Sequence, residues 1–189
     1  MAIGLVFTVP AVSGEIVDQA ARAETLLSRG YAAPALSAFD RSADAFWVQS
    51  PLQLSTAVFA DAVEGYANYT PRSDAPFETG ETMTIYLEPF GFAYMATGDA
   101  YQSAVAADIE IRTPGGLILA KSDDFVRLEW QGRTQRHEVH ASIALPLPPL
   151  KPGAYLIELT LRDENSDKTV MTELPFSIAE QPAPGSETE

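Results

Sequence analysis

The stretch that decides the fold is Leu150-Lys151-Pro152-Gly153-Ala154-Tyr155-Leu156-Ile157-Glu158-Leu159-Thr160-Leu161. Pro152 fixes its own φ and Gly153 frees the next one, so the opening residues read as a turn. From Tyr155 onward the side chains alternate: Tyr155, Ile157, Leu159 and Leu161 share one face, and Glu158, Thr160 and Arg162 share the other. Period two is the mark of a half-buried strand. A tyrosine at the head of such a strand puts its ring in the core and leaves its hydroxyl within reach of the turn just behind it.

Outward from this strand the same period recurs from Gln53. Strands are expected at 54–60, 66–69, 82–88, 102–112, 117–121, 125–130, 137–145, 155–162 and 168–178. Their inward sets include Met83/Ile85/Leu87, Val105/Ala107/Ile109/Ile111, Val126/Leu128/Trp130, Val139/Ala141/Ile143/Leu145 and Val170/Leu174/Phe176/Ile178. Between them stand Glu78-Thr79-Gly80, Pro114-Gly115-Gly116, Gln131-Gly132, Pro148-Pro149 and the polar run Asp163-Glu164-Asn165-Ser166-Asp167. Short strands cut by such turns point to packed antiparallel sheets rather than βαβ units. The placement of Tyr155 resembles the tyrosine corner of immunoglobulin-like and fibronectin III-like sandwiches. That resemblance implies an antiparallel β-sandwich over residues 51–180, and a shared fold brings no activity with it.

Ahead of the strands, residues 15–50 read as a helical hairpin. Ile16, Ala20, Ala23 and Leu27 recur at helical spacing, and Arg29-Gly30 ends the first helix with a cation and a C′-type glycine. Pro34 suits the first turn of the second helix, where Leu36, Phe39, Ala43, Phe46 and Trp47 form the expected apolar face. Gly30, Ala35, Phe39 and Ser42 fall at the offsets of the second half of a tetratricopeptide repeat, which this segment resembles, although the first-half signature is largely missing. A lone repeat cannot cover its own apolar face. Either a partner covers it, or an unrelated hairpin packs on the domain that follows.

Twelve basic residues against 26 acidic ones give a net charge of −14, which repels phosphate backbones and argues against a nucleic-acid partner. Cysteine is absent, which removes disulfides, thiolate metal sites and cysteine nucleophiles. The apolar run Ile3-Gly4-Leu5-Val6-Phe7-Thr8-Val9, with Ala11 and Ser13 before Gly14, fits a signal-peptide remnant over residues 1–14, without the usual basic start. No stretch has the length of a membrane span. The polar, proline-rich residues 181–189 have nothing to bury and are expected to be disordered.

Several motifs occur in a familiar order: Gly65-Tyr66-Ala67-Asn68-Tyr69, Phe77-Glu78-Thr79-Gly80-Glu81, Ile85-Tyr86-Leu87-Glu88-Pro89-Phe90-Gly91-Phe92, Leu147-Pro148-Pro149-Leu150-Lys151-Pro152-Gly153-Ala154-Tyr155, and Leu161-Arg162-Asp163 with Lys168. The set is similar to a group of uncharacterised bacterial envelope or secreted proteins. It implies an exported, periplasmic or secreted sandwich and supplies no activity.

Signals for chemistry are few. His137 and His140 stand three apart in an expected strand, not four apart on a helix, so they do not match a zinc pair. The Asp163–Asp167 run holds oxygen donors but lacks EF-hand spacing, and a polar turn explains it. No serine-nucleophile, phosphate-loop or dinucleotide motif occurs. A non-enzyme without metal or cofactor is therefore expected. The strongest candidate for function is the connection Pro89–Tyr101, whose Phe90, Phe92, Tyr94, Met95 and Tyr101 are unusually apolar for a loop. Either Phe90 and Phe92 cap the sandwich or receive the hairpin, since aromatic area is costly to leave wet, or these residues form, together with Phe46 and Trp47 of the hairpin, the contact surface for a protein partner. The alternatives are a carbohydrate-binding sandwich with Tyr66, Tyr69, Tyr94 or Tyr101 as stacking platforms, and a hydrolase of unrecognised type.

Overall fold

The computed structural model describes residues 14–73 and 76–180. The expectations for residues 1–13 and for the 181–189 tail lie outside them. The chain divides into two units, Met1–Gln49 and Ser50–Glu189, so the boundary falls where the hydrophobic period changes.

The first unit is a pair of helices, α1 (Gly14–Ser28) and α2 (Ala32–Gln49). Gly30 takes a left-handed φ of 81°, its amide donates to Leu27 O (3.0 Å), and Tyr31 N donates to Leu26 O (3.0 Å). That is a Schellman stop, which a residue with a Cβ would adopt only at a cost. The helices then run antiparallel, with Ser42 Oγ donating to Ile16 O (2.8 Å) and Arg41 Nε to Gln19 Oε1 (3.2 Å). Of the expected apolar face, Ala23 and Trp47 are buried and the larger part is not. Ala23, Ala35, Ala38, Ser42 and Ala45 are buried, whereas Leu27, Leu36, Phe39 and Phe46 are more than half exposed. Small side chains let the backbones approach closely, and that approach turns the large apolar residues away from the seam.

The second unit is mainly β and wholly antiparallel in its strand ladders. Its strands are β1 (Gln53–Gly65), β2 (Asn68–Pro71), β3 (Thr82–Phe90), β4 (Met95–Thr97), β5 (Ala100–Arg112), β6 (Ile118–Gly132), β7 (Ala141–Pro146), β8 (Gly153–Asp163) and β9 (Thr169–Ile178). One sheet has the order β2-β1-β3-β7; the other runs β4-β5-β8-β9, with β6 also paired to β5. Met83, Ile85, Leu87, Val105, Ala107, Ile109, Ile111, Ile143, Leu145, Ile157, Leu159 and Leu161 are all buried, as their alternation requires. Phe59 of β1 meets Phe176 of β9 edge-on at 6.4 Å, and Phe77 meets both rings. The opening strand behaves as its sequence demands. Tyr155 is buried, and its hydroxyl donates to Lys151 O at 2.7 Å, across the turn.

Four strand expectations need correction. The strands expected at 117–121 and 125–130 are one strand, β6, because the break between them is a bulge: Ala107 faces Val126 but Ile109 faces Ser122, and Asp124 takes φ 50°. An Asp there tolerates the left-handed region and re-aims the strand. β7 starts only at Ala141, so His137 lies in a connection and not in a strand. β1 continues to Gly65, and its hairpin partner covers 68–71 instead of 66–69. The long connection 89–101 contains β4.

Candidate functional site

The aromatic connection begins with a backbone lock. Gly91 has φ +80°, and a Cβ there would lie 2.2 Å from Pro51 O, so the chain can pass only as glycine. The turn between β8 and β9 then holds the next residues. Asp163, buried, accepts from Ala93 N (2.7 Å) and from its own turn at Asn165 N (3.0 Å) and Ser166 Oγ. Asn165 Nδ2 donates to Ala93 O (3.1 Å), Ser103 Oγ donates to the same oxygen (2.9 Å), and Lys168 Nζ reaches Gly91 O (2.7 Å). The polar run weighed as a cation loop thus spends its key oxygens on backbone amides and its own turn. A buried carboxylate needs such donors to be tolerated.

Held this way, Phe92 goes fully into the core and stacks on Trp130 at 4.9 Å with an interplanar angle of 11°. Tyr94 lies against Phe92 at 5.2 Å, and its hydroxyl donates to Arg136 O (2.8 Å). Burial pushes the Tyr94 pKa up, and the bond from the Arg136 amide opposes the rise. Phe90 and Tyr101 are half-buried, and of the expected contact residues in this unit Met95 is the one well exposed, at 53%. Phe92 is therefore part of the core, while Phe90, Tyr94 and Tyr101 keep some of their surface open. Trp130 was not singled out beforehand, because its strand period marks it only as one more inward residue.

On the outer side of the second sheet, beside Met95, lies a cleft of about 350 Å³ whose walls include Gln102, Arg127, Glu129, Gln131 and Asn165, with Ala104 among them. A small residue between long polar ones on neighbouring strands leaves such a depression. Tyr101 does not line it.

A second polar cluster sits on β3. Glu88 is buried; its carboxylate accepts from Tyr86 Oη (2.7 Å), Thr56 Oγ1 (2.8 Å) and Ser55 Oγ (3.2 Å). Burial pushes the Glu88 pKa up, but these hydroxyl donors outweigh it and hold the group below the usual carboxylate range. Burial, followed by the bond to Glu88, pushes Tyr86 up to about 12. Tyr69 stacks on Tyr86 at 4.0 Å and His140 flanks it at 5.9 Å. Of the tyrosines expected to serve as sugar platforms, Tyr69 thus spends a face on Tyr86 and Tyr94 packs on Phe92, while Tyr66 is 40% exposed.

Phe46 and Trp47 belong to the helical unit, where Trp47 is buried and Phe46 exposed. Further apolar surface of that unit lines a groove of about 510 Å³ along the two helices. Leu27, Leu36 and Phe39 form its rims, and Ala20, Ala23 and Ala35 are among its smaller lining residues. The rim residues are 62%, 62% and 60% exposed, respectively. The residues are visible in the sequence as helical periodicity, which marks an apolar face without saying what covers it.

No protein-family model matches the sequence, and neither does any curated protein. Among solved structures, one that matches is the Pseudomonas fluorescens alkylpurine DNA glycosylase AlkC bound to DNA containing an abasic site analog, at 10% identity and a TM-score of 0.34. The match covers 80% of this chain but spans only 39% of the length of that protein. A likeness of that size fixes neither fold nor chemistry.

Proposed function

We propose that the chain is a non-enzymatic module of the bacterial envelope, an immunoglobulin- or fibronectin III-like sandwich whose helical hairpin docks a protein partner. The observation that carries this reading is the open groove with exposed Leu27, Leu36 and Phe39. Contiguous apolar surface of this kind is characteristic of interaction sites, and a single repeat-like hairpin has, among the described residues of its unit, no further helix to cover it. The fitting occupant is the apolar face of a partner helix, as between stacked repeats. The bond from Tyr155 to Lys151 supports the sandwich class. Export rests on the apolar run before Gly14, and the charge of −14 makes a nucleic-acid partner unfavourable.

The test is capture from envelope extract with the full chain and with a Leu36→Asp/Phe39→Asp variant. A protein held by the wild type and lost from a variant with unchanged circular dichroism supports the reading; equal capture by both, or none by either, overturns it. Export is checked separately by mass spectrometry of the native protein, where a mature start near Gly14 is expected.

A second reading, a sandwich that binds a polar ligand such as a carbohydrate, draws on the cleft beside Gln102, Gln131 and Asn165. Titration calorimetry with soluble oligosaccharides tests it, and Gln102→Ala should abolish any heat observed.

A further inference from the structure

The strands at the sheet margins differ in how they are guarded. β2 ends in Pro71, β7 ends in Pro146, and β9 carries Pro175 and is bridged near its end by Phe77. β4 is three residues long. Proline removes the ladder donor, and brevity removes the ladder, so each of these edges resists further pairing. β6 is fifteen residues long, contains no proline, and among the described residues pairs with no strand but β5. Its first half has protection of another kind, in Lys121, Asp123 and the bulge at Asp124. Its second half, Phe125–Gln131, has none.

The charges in that half would not repel a second copy of themselves. Arg127 and Glu129 project from one face two residues apart, and their side chains touch. Antiparallel pairing of two such strands about Leu128 sets Arg127 opposite Glu129 twice, Val126 opposite Trp130 twice, and Leu128 opposite itself. Edges that avoid pairing carry charges of one sign, which confront like with like across a two-fold axis; here the axis turns both charges into attractive pairs. Arg127 also donates from Nε to Glu164 (2.8 Å), and an exposure of 52% for Arg127 and 65% for Glu129 leaves both within reach of a second copy. On the other face Leu128 is buried, while Val126 and Trp130 are only half-buried and would gain cover.

We infer that this chain self-associates through β6, pairing two copies antiparallel about Leu128 so that the β5-containing sheet continues from one copy into the other. This surface is separate from the helical groove, and its failure would leave the docking reading untouched.

Analytical ultracentrifugation of the full chain is expected to show a concentration-dependent dimer that weakens with salt, since each interface holds two exposed charge pairs. Glu129→Arg presents arginine to arginine, Arg127→Glu presents glutamate to glutamate, and each alone should weaken the dimer at least about tenfold. Mixing the two variants rebuilds both pairs and should restore association to within about threefold of the wild type. Circular dichroism confirms that each variant is folded. A wild type that stays monomeric overturns the inference, as does a dimer indifferent to Glu129→Arg or a mixture that fails to associate.

Discussion

The two units handle the same signal in opposite ways. In the β unit, Met83, Ile85, Leu87, Ile157, Leu159 and Leu161 are all buried, as their period predicts. In the helical unit, Leu27, Leu36 and Phe39 share an equally regular period and remain outside, while alanines and Ser42 fill the seam. Periodicity tells which residues share a face, and burial of that face needs another layer to lie on it. The sheets supply each other's layer. Two helices cannot, because a pair has one seam and each member has further surface.

The sharpest way to break this contrast is to truncate one residue of each kind. Leu159→Ala, at full burial, should cost about 2–5 kcal/mol in chemical denaturation, while Leu36→Ala should stay within about 0.5 kcal/mol. Comparable losses would mean that Leu36 is covered in solution. Gly91→Ala comes next. A methyl against Pro51 O at a left-handed φ should cost about 2 kcal/mol or more and expose the Phe92–Trp130 stack, read as a shift in tryptophan fluorescence.

Tyr155→Phe keeps the ring and removes one bond, to Lys151 O, so about 1 kcal/mol is expected. An unchanged melting temperature would show that the turn is held by Pro152 and Gly153 alone. The smallest effect is a pH dependence. Glu88 is held below its ordinary value when folded, so its contribution is present above the ordinary carboxylate range and is lost as pH falls through the depressed value. Tyr86 is raised to about 12, so its contribution is intact below its ordinary value of 10.0 and is lost as pH rises from there towards 12. A spectrophotometric titration should show a tyrosine ionising near 12, and Glu88→Gln should bring that step to lower pH.

Much of the β unit was legible because alternation and turn chemistry are local. The strand from Tyr155, the set Val105/Ala107/Ile109/Ile111 and the stop at Gly30 each follow from a few neighbouring residues. The division of β6 was misread for the same reason: the polar residues between Lys121 and Phe125 interrupt the local period, and only the register against β5 makes the interruption a bulge. The candidate site was less legible. The aromatic connection reads equally as a cap or as a contact surface because its anchors are distant, with Asp163 lying 70 residues from Ala93.

The sequence alone determined the change of period near residue 50, the antiparallel β class, the acidic charge and the corner at Tyr155. All of these depend on backbone conformation and on side chains within a few positions of one another. Only the tertiary structure decided that the Asp163 turn clamps Ala93, that Phe92 packs on Trp130, that alanines form the helical seam, and that β6 is a long edge without proline. Each of these is a pairing between distant segments, and pairing depends on which surfaces the fold brings together, which no local pattern specifies.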